Sequence, residues 1–132
     1  MMWVWLWLAR VPPQWRQLAF GLAAASVLGL SLTPVDHLPS QVLDLWDKAQ
    51  HATGFLGLTL LAHWAWPKTR WPLWLGLLGF GLFIEWAQSA TGWRHGDLWD
   101  WVADGVGVGL GACAFGVADR CCPSVFRATP PG

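Results

Sequence analysis

The chain has 132 residues, 55% hydrophobic and 12% charged, with no net charge and a mean hydropathy of +0.38. A soluble domain of this size carries about a quarter charged residues, and the length suits one compact unit rather than two domains. The charge balance excludes a basic nucleic-acid surface, while thirteen Trp and no Tyr point to a membrane, because Trp gathers where hydrocarbon meets headgroups.

In chain order, MMWVWLWLAR is apolar for only about nine residues before Arg10, too short to span a bilayer. With Pro12 and Pro13 behind it, residues 1–16 read as an N-terminal interfacial segment. Four apolar segments follow, predicting helices over about 17–34, 47–67, 71–91 and 97–118 within a membrane domain of residues 17–119. Each approaches the roughly 20 helical residues that cross a hydrocarbon core of about 30 Å. A cleavable leader is the competing reading of the first segment, but no small-x-small site follows it. Residues 120–132 read as a cytoplasmic tail.

Orientation follows from Lys and Arg. Arg10 and Arg16 precede the first segment, Lys68 and Arg70 separate the second and third, and Arg120 and Arg127 follow the fourth. Only Lys48 and Arg94 fall on the other side, beside Asp36, Asp44, Asp47 and Asp97. The positive-inside rule then predicts an all-α, four-helix transmembrane bundle with both termini cytoplasmic, a multi-pass protein of a bacterial inner membrane. Cys113, Cys121 and Cys122 are too few for a disulfide framework and read as reduced and structurally minor.

The run Gly105-Val-Gly107-Val-Gly109-Leu-Gly111 lacks the spacing and the preceding strand of a nucleotide fingerprint. Its small-xxx-small pairs instead predict close helix packing, with Gly105 and Gly109 available for a homo-oligomer.

The functional signal lies in charges at membrane depth, each costing on the order of 2.5–3.5 kcal/mol. Asp47 and His51 are four apart, Glu85 and Gln88 three apart, and Asp97, Asp100 and Asp104 follow i, i+3, i+7, so each set shares a helix face. At 1.5 Å per residue, His51, Glu85 and Asp104 all fall roughly 8–10 Å below the outer boundary. Lys48 and Arg94 are the natural counter-charges. The structural alternative is a polar clamp between helices, its contacts worth about 0.6–2 kcal/mol each, and Gln88 and Asp97 suit that role best. His51 and Glu85 suit proton exchange, as both titrate usefully when buried. Lys48, Arg94, Asp47, Gln88, Asp97, Asp100 and Asp104 are the expected substrate contacts. His63, beside Trp64 and Trp66, reads as an interfacial anchor. No spacing approaches a zincin signature, so neither a metal nor a cofactor is assigned.

These residues resemble the VanZ-like family of small integral membrane proteins. The chain reads Asp47-Lys48-x-x-His51-x-x-x-Phe55, then Glu85-x-x-Gln88, then Arg94, then Asp100-x-x-x-Asp104-Gly105-x-x-x-Gly109. The resemblance covers about residues 44–112. Phe55 stands where the family often has Tyr, Gly92 where it has Pro, and Asp104 where it has Asn. It implies a small helical membrane protein whose namesake is linked to teicoplanin resistance. Three functions follow as expectations: altered presentation of lipids or cell-wall precursors, an enzyme acting on a phosphorylated or lipid-linked substrate in the outer leaflet, or a proton- or cation-coupled carrier. Membrane lipid is the expected partner and nucleic acid is not.

Overall fold

A computed structural model describes residues 10–34, 40–93 and 96–121. Among them the chain is all-helical, with α1 (Pro13–Ser31), α2 (Ser40–Ala65), α3 (Trp71–Thr91) and α4 (Leu98–Cys121) and no strand. The all-α expectation therefore holds. Helix α2 starts upstream of the expected position near residue 47. Helix α4 runs three residues past 118, so Arg120 and Cys121 are helical rather than part of a tail. The remaining residues of the expected N-terminal segment and tail, 1–9 and 122–132, lie outside the described residues, as do Asp36, His37, Arg94 and His95.

Proline and glycine set the boundaries. Pro13 opens α1, where its missing N–H costs nothing. The helix closes before Thr33-Pro34, because the residue preceding a proline avoids the α region. Helix α2 stops just before Pro67, and Pro72 lies in the first turn of α3. Gly92, at φ +80°, ends α3 in the left-handed conformation that glycine adopts freely. Asp97 caps α4, its Oδ1 accepting the Trp99 N–H at 3.0 Å.

Helices α2 and α4 form the most extensive pair. Their approach depends on Gly107 and Gly111: a Cβ at Gly107 would strike the Ala52 carbonyl oxygen, and one at Gly111 would come within 2.7 Å of Thr59 Cβ. Gly105 lies on another face, where a Cβ would meet only Leu78 Cδ2 at 3.7 Å, and Gly109 would meet nothing within 4 Å. The small-residue pair that packs this protein internally is thus Gly107–Gly111.

The core holds Phe55 and Leu58 of α2, Leu77 and Ile84 of α3, and Val108 of α4, with Phe20 and Val27 of α1 packed on it. Outside, the usual distribution is inverted. Leu75, Leu82, Phe83 and Trp86 of α3 and Val102, Val106, Leu110 and Val117 of α4 are exposed, while His51, Glu85, Gln88, Asp100 and Asp104 are buried. Helices α3 and α4 are long and apolar enough to cross a membrane, by length and composition. The first turns of α1 carry Gln14, Arg16 and Gln17, and α2 carries Asp44, Asp47, Lys48, Gln50 and His51, which lowers their hydropathy.

Candidate functional site

The site is assembled at one end of α2, α3 and α4. From α2, Asp47, Lys48 and His51 lie within about one turn of one another, where i, i+3 and i+4 positions share a face. Helix α3 supplies Glu85. The turn into α4 supplies Asp97, and α4 itself Asp100 and Asp104, four residues apart.

His51 lies at the centre. Its Nδ1 donates to Asp104 Oδ1 at 2.8 Å and lies 3.9 Å from Glu85 Oε1. His51 is 3% exposed, Asp104 0% and Glu85 9%. Glu85 is anchored from behind: its Oε2 accepts the Asp97 N–H at 2.7 Å, which leaves Oε1 facing the imidazole. The turn holding Asp97 is fixed in turn by Ser89, whose hydroxyl donates to the Glu85 carbonyl at 2.9 Å and accepts the Gly96 N–H at 3.2 Å. Asp104 fits only because Gly81 of α3 has no side chain, since a Cβ there would strike Asp104 Oδ2.

Above this layer, Lys48 Nζ bridges Asp97 Oδ2 at 3.1 Å and Asp100 Oδ1 at 3.3 Å. Asp97 precedes α4 and is partly exposed. The Trp99 amide, then Lys48, hold its carboxyl below the usual carboxylate range. Among the described residues, Asp47, Glu85, Asp97, Asp100 and Asp104 face one lysine and one histidine. This end of the bundle is rich in negative charge.

The residues expected at the site divide clearly. Asp47, Lys48, His51, Glu85, Asp97, Asp100 and Asp104 converge. Gln88 does not join them through any hydrogen bond: its Nε2 donates to the Ser31 carbonyl at 2.9 Å, tying α3 to the end of α1. Three positions along a helix is a rotation of about 300°, enough to swing Gln88 from α4 toward α1. Arg94 lies outside the described residues. Gly81 and Ser89 shape the site and were missed by sequence reasoning, because neither carries a charge or motif that marks it.

At the opposite end, His63 departs from its expected place. It is 0% exposed rather than interfacial. Its Nδ1 donates to the Thr59 carbonyl at 2.8 Å, its Nε2 accepts from Trp74 Nε1 at 3.3 Å, and its ring packs 4.3 Å from that of Phe115. Both ring nitrogens are therefore satisfied, which fixes a neutral imidazole with its proton on Nδ1.

The contrast with the His51 end is chemical. Among the described residues, the buried side-chain atoms without a hydrogen-bond partner include His51 Nε2, Glu85 Oε1, Asp104 Oδ2 and Gln88 Oε1, whereas Asp100 Oδ1 is met by Lys48 at 3.3 Å. The first three belong to the one cluster. Leaving a buried polar group unpartnered costs about 1–3 kcal/mol, so a finished structural clamp would not gather them. In comparisons with known proteins, no family model, curated protein or solved structure matches this chain.

Proposed function

We propose that the chain is a VanZ-like integral membrane protein of the bacterial cell envelope, in which all four helices cross the inner membrane and both termini are cytoplasmic. The His51 cluster then lies beneath the outer face and takes the polar head of a lipid or lipid-linked cell-wall precursor. Through that contact the protein alters how the precursor is presented and so shifts sensitivity to glycopeptides such as teicoplanin.

One feature supports the membrane part of this reading. Large apolar side chains cover the outside of α3 and α4 while carboxylates are buried, as a lipid solvent demands.

One observation carries the binding part: three unpartnered buried atoms, on His51, Glu85 and Asp104, gathered in one cluster. A network built only to clamp helices satisfies its own hydrogen bonds. One with this many open valences is completed by something else.

Expression in a teicoplanin-sensitive Gram-positive host tests the reading. The wild-type chain should raise the teicoplanin concentration needed to stop growth, and His51→Ala and Glu85→Gln should abolish the rise at unchanged membrane abundance. Full protection by both variants would sink the site; variants that vanish from the membrane would return the cluster to a structural role.

A further inference from the structure

The three atoms at the heart of the cluster have the chemistry and spacing of a metal site. One donor atom each from His51, Glu85 and Asp104 lie within 4.8 Å of one another, His51 Nδ1 being 2.8 Å from Asp104 Oδ1 and 3.9 Å from Glu85 Oε1. Bound to one tetrahedral zinc-like ion at about 2.0–2.2 Å, such donors would stand roughly 3.3 Å apart. The observed separations, 2.8 Å from His51 to Asp104 and 3.9 Å from His51 to Glu85, bracket that value.

Independent of the spacing, Glu85 Oε1 is buried, has no hydrogen-bond partner, and is aimed at the imidazole by the Asp97 N–H that holds Oε2. A carboxylate oxygen fixed from behind and open in front is the arrangement in which an outer contact orients a metal ligand. Two carboxylates also face one imidazole here, so the cluster lacks positive charge at its centre. Lys48 does not supply it, being engaged with Asp97 and Asp100 in the layer above.

We propose that His51, Glu85 and Asp104 together bind one divalent first-row transition ion, of the class that accepts an imidazole and two carboxylates, such as zinc, manganese or cobalt, the ion replacing the proton between His51 Nδ1 and Asp104 as the imidazole proton moves to Nε2. Each ligand comes from a different helix, so the ion joins α2, α3 and α4. Three protein donors leave a coordination position open, to which a phosphate oxygen of the headgroup binds. The inference rests on the reading of the cluster as a binding site.

The test uses the full chain purified in detergent, stripped of metal, and loaded with Zn²⁺ or Co²⁺ alone. Elemental analysis after desalting should give one zinc per chain, and Co²⁺ should produce a visible ligand-field band that Zn²⁺ abolishes. His51→Ala should remove the band, while Glu85→Gln and Asp104→Asn should each weaken Co²⁺ binding by about tenfold or more. Asp119→Asn, at the far end of α4, should leave it unchanged. If a variant fails to fold, the wild-type protein still decides the matter, because buffer-level zinc and no cobalt band overturn the proposal. Undiminished binding by His51→Ala overturns it equally. A teicoplanin response that needs His51 in a protein without metal would overturn the ion and leave the binding site standing; loss of both would remove the site itself.

Discussion

Asp104 is held between two helices by opposite means: its Oδ1 accepts the His51 Nδ1–H at 2.8 Å, and its Oδ2 occupies the space that Gly81 leaves open. The first contact fixes the imidazole, and the second depends on an atom that is missing. A methyl group at position 81 must displace the carboxylate or separate α3 from α4. We expect Gly81→Ala to destabilise the protein by about 1–3 kcal/mol, the usual cost of overpacking. The helix propensity gained from Ala, up to about 1 kcal/mol, offsets only part of that. Denaturation in mixed micelles measures the difference, and a variant as stable as wild type would show that Asp104 does not need the gap.

Asp104→Asn separates charge from shape. The amide keeps an oxygen to accept from His51 Nδ1, and it removes a buried carboxylate whose Oδ2 has no donor. The isostere exchanges a charge-assisted hydrogen bond to His51 for a neutral one while lifting the desolvation cost of a fully buried carboxylate, and the two changes oppose each other. Stability should therefore stay within about 1 kcal/mol of wild type or rise, while metal loading falls. Parallel loss of stability and loading would instead make Asp104 a structural clamp.

How much of this was legible in the sequence follows from what helix geometry fixes locally. Asp47 with His51, and Asp100 with Asp104, share faces because four residues nearly complete a turn, so their convergence could be read from spacing. The pairing of Lys48 with the carboxylates of α4 followed from charge and depth. Gln88 was read with Glu85 on the same argument, but the rotation between them was enough to give it to Ser31 on α1. His63 was read as interfacial from its Trp neighbours, yet it lies one turn from Thr59, on the face of α2 that meets α4 at Gly111 and Phe115, and is buried there. Gly81 was not legible, because the need for an empty space appears only when α4 is placed against α3.

Gly107 and Gly109 of α4 should respond in opposite ways. Gly107→Ala places a methyl group against the Ala52 carbonyl, in the most extensive helix pair of the protein. It should cost about 2 kcal/mol or more, because the obstructing atom is backbone and cannot rotate away. Gly109→Ala meets open space and should be neutral or stabilising by up to about 1 kcal/mol. If Gly105 and Gly109 join copies of the chain, Gly109→Leu should shift the protein toward monomer in light scattering while leaving its unfolding unchanged. An unaltered mass would remove these glycines from any such interface.

His63 offers the complementary case, a buried histidine with nothing left to bind. Trp74→Phe keeps an aromatic ring and removes the one donor to His63 Nε2, leaving that nitrogen buried and unpartnered. The expected cost is about 1–3 kcal/mol of stability, with metal loading and teicoplanin response intact because the His51 cluster lies at the other end. Loss of loading in Trp74→Phe at full stability would couple the two ends and contradict their separation.

The four-span topology is open to direct test, and α1 and α2 decide it, since α3 and α4 could form a membrane hairpin without them. In a chain with its native cysteines replaced, single cysteines at Thr33 and Trp93 should react with a membrane-impermeant maleimide in intact cells. Those at Val11 and Thr69 should react only after permeabilisation. Labelling at Trp93 but not Thr33 would leave α3 and α4 spanning and place α1 and α2 on the cytoplasmic side. That pattern would also strand Asp47, Lys48 and His51 on the wrong side of the bilayer from Glu85 and Asp97. It would contradict the 2.8 Å contact between His51 and Asp104 and the 3.1 Å contact between Lys48 and Asp97, and with them the proposed site beneath the outer face.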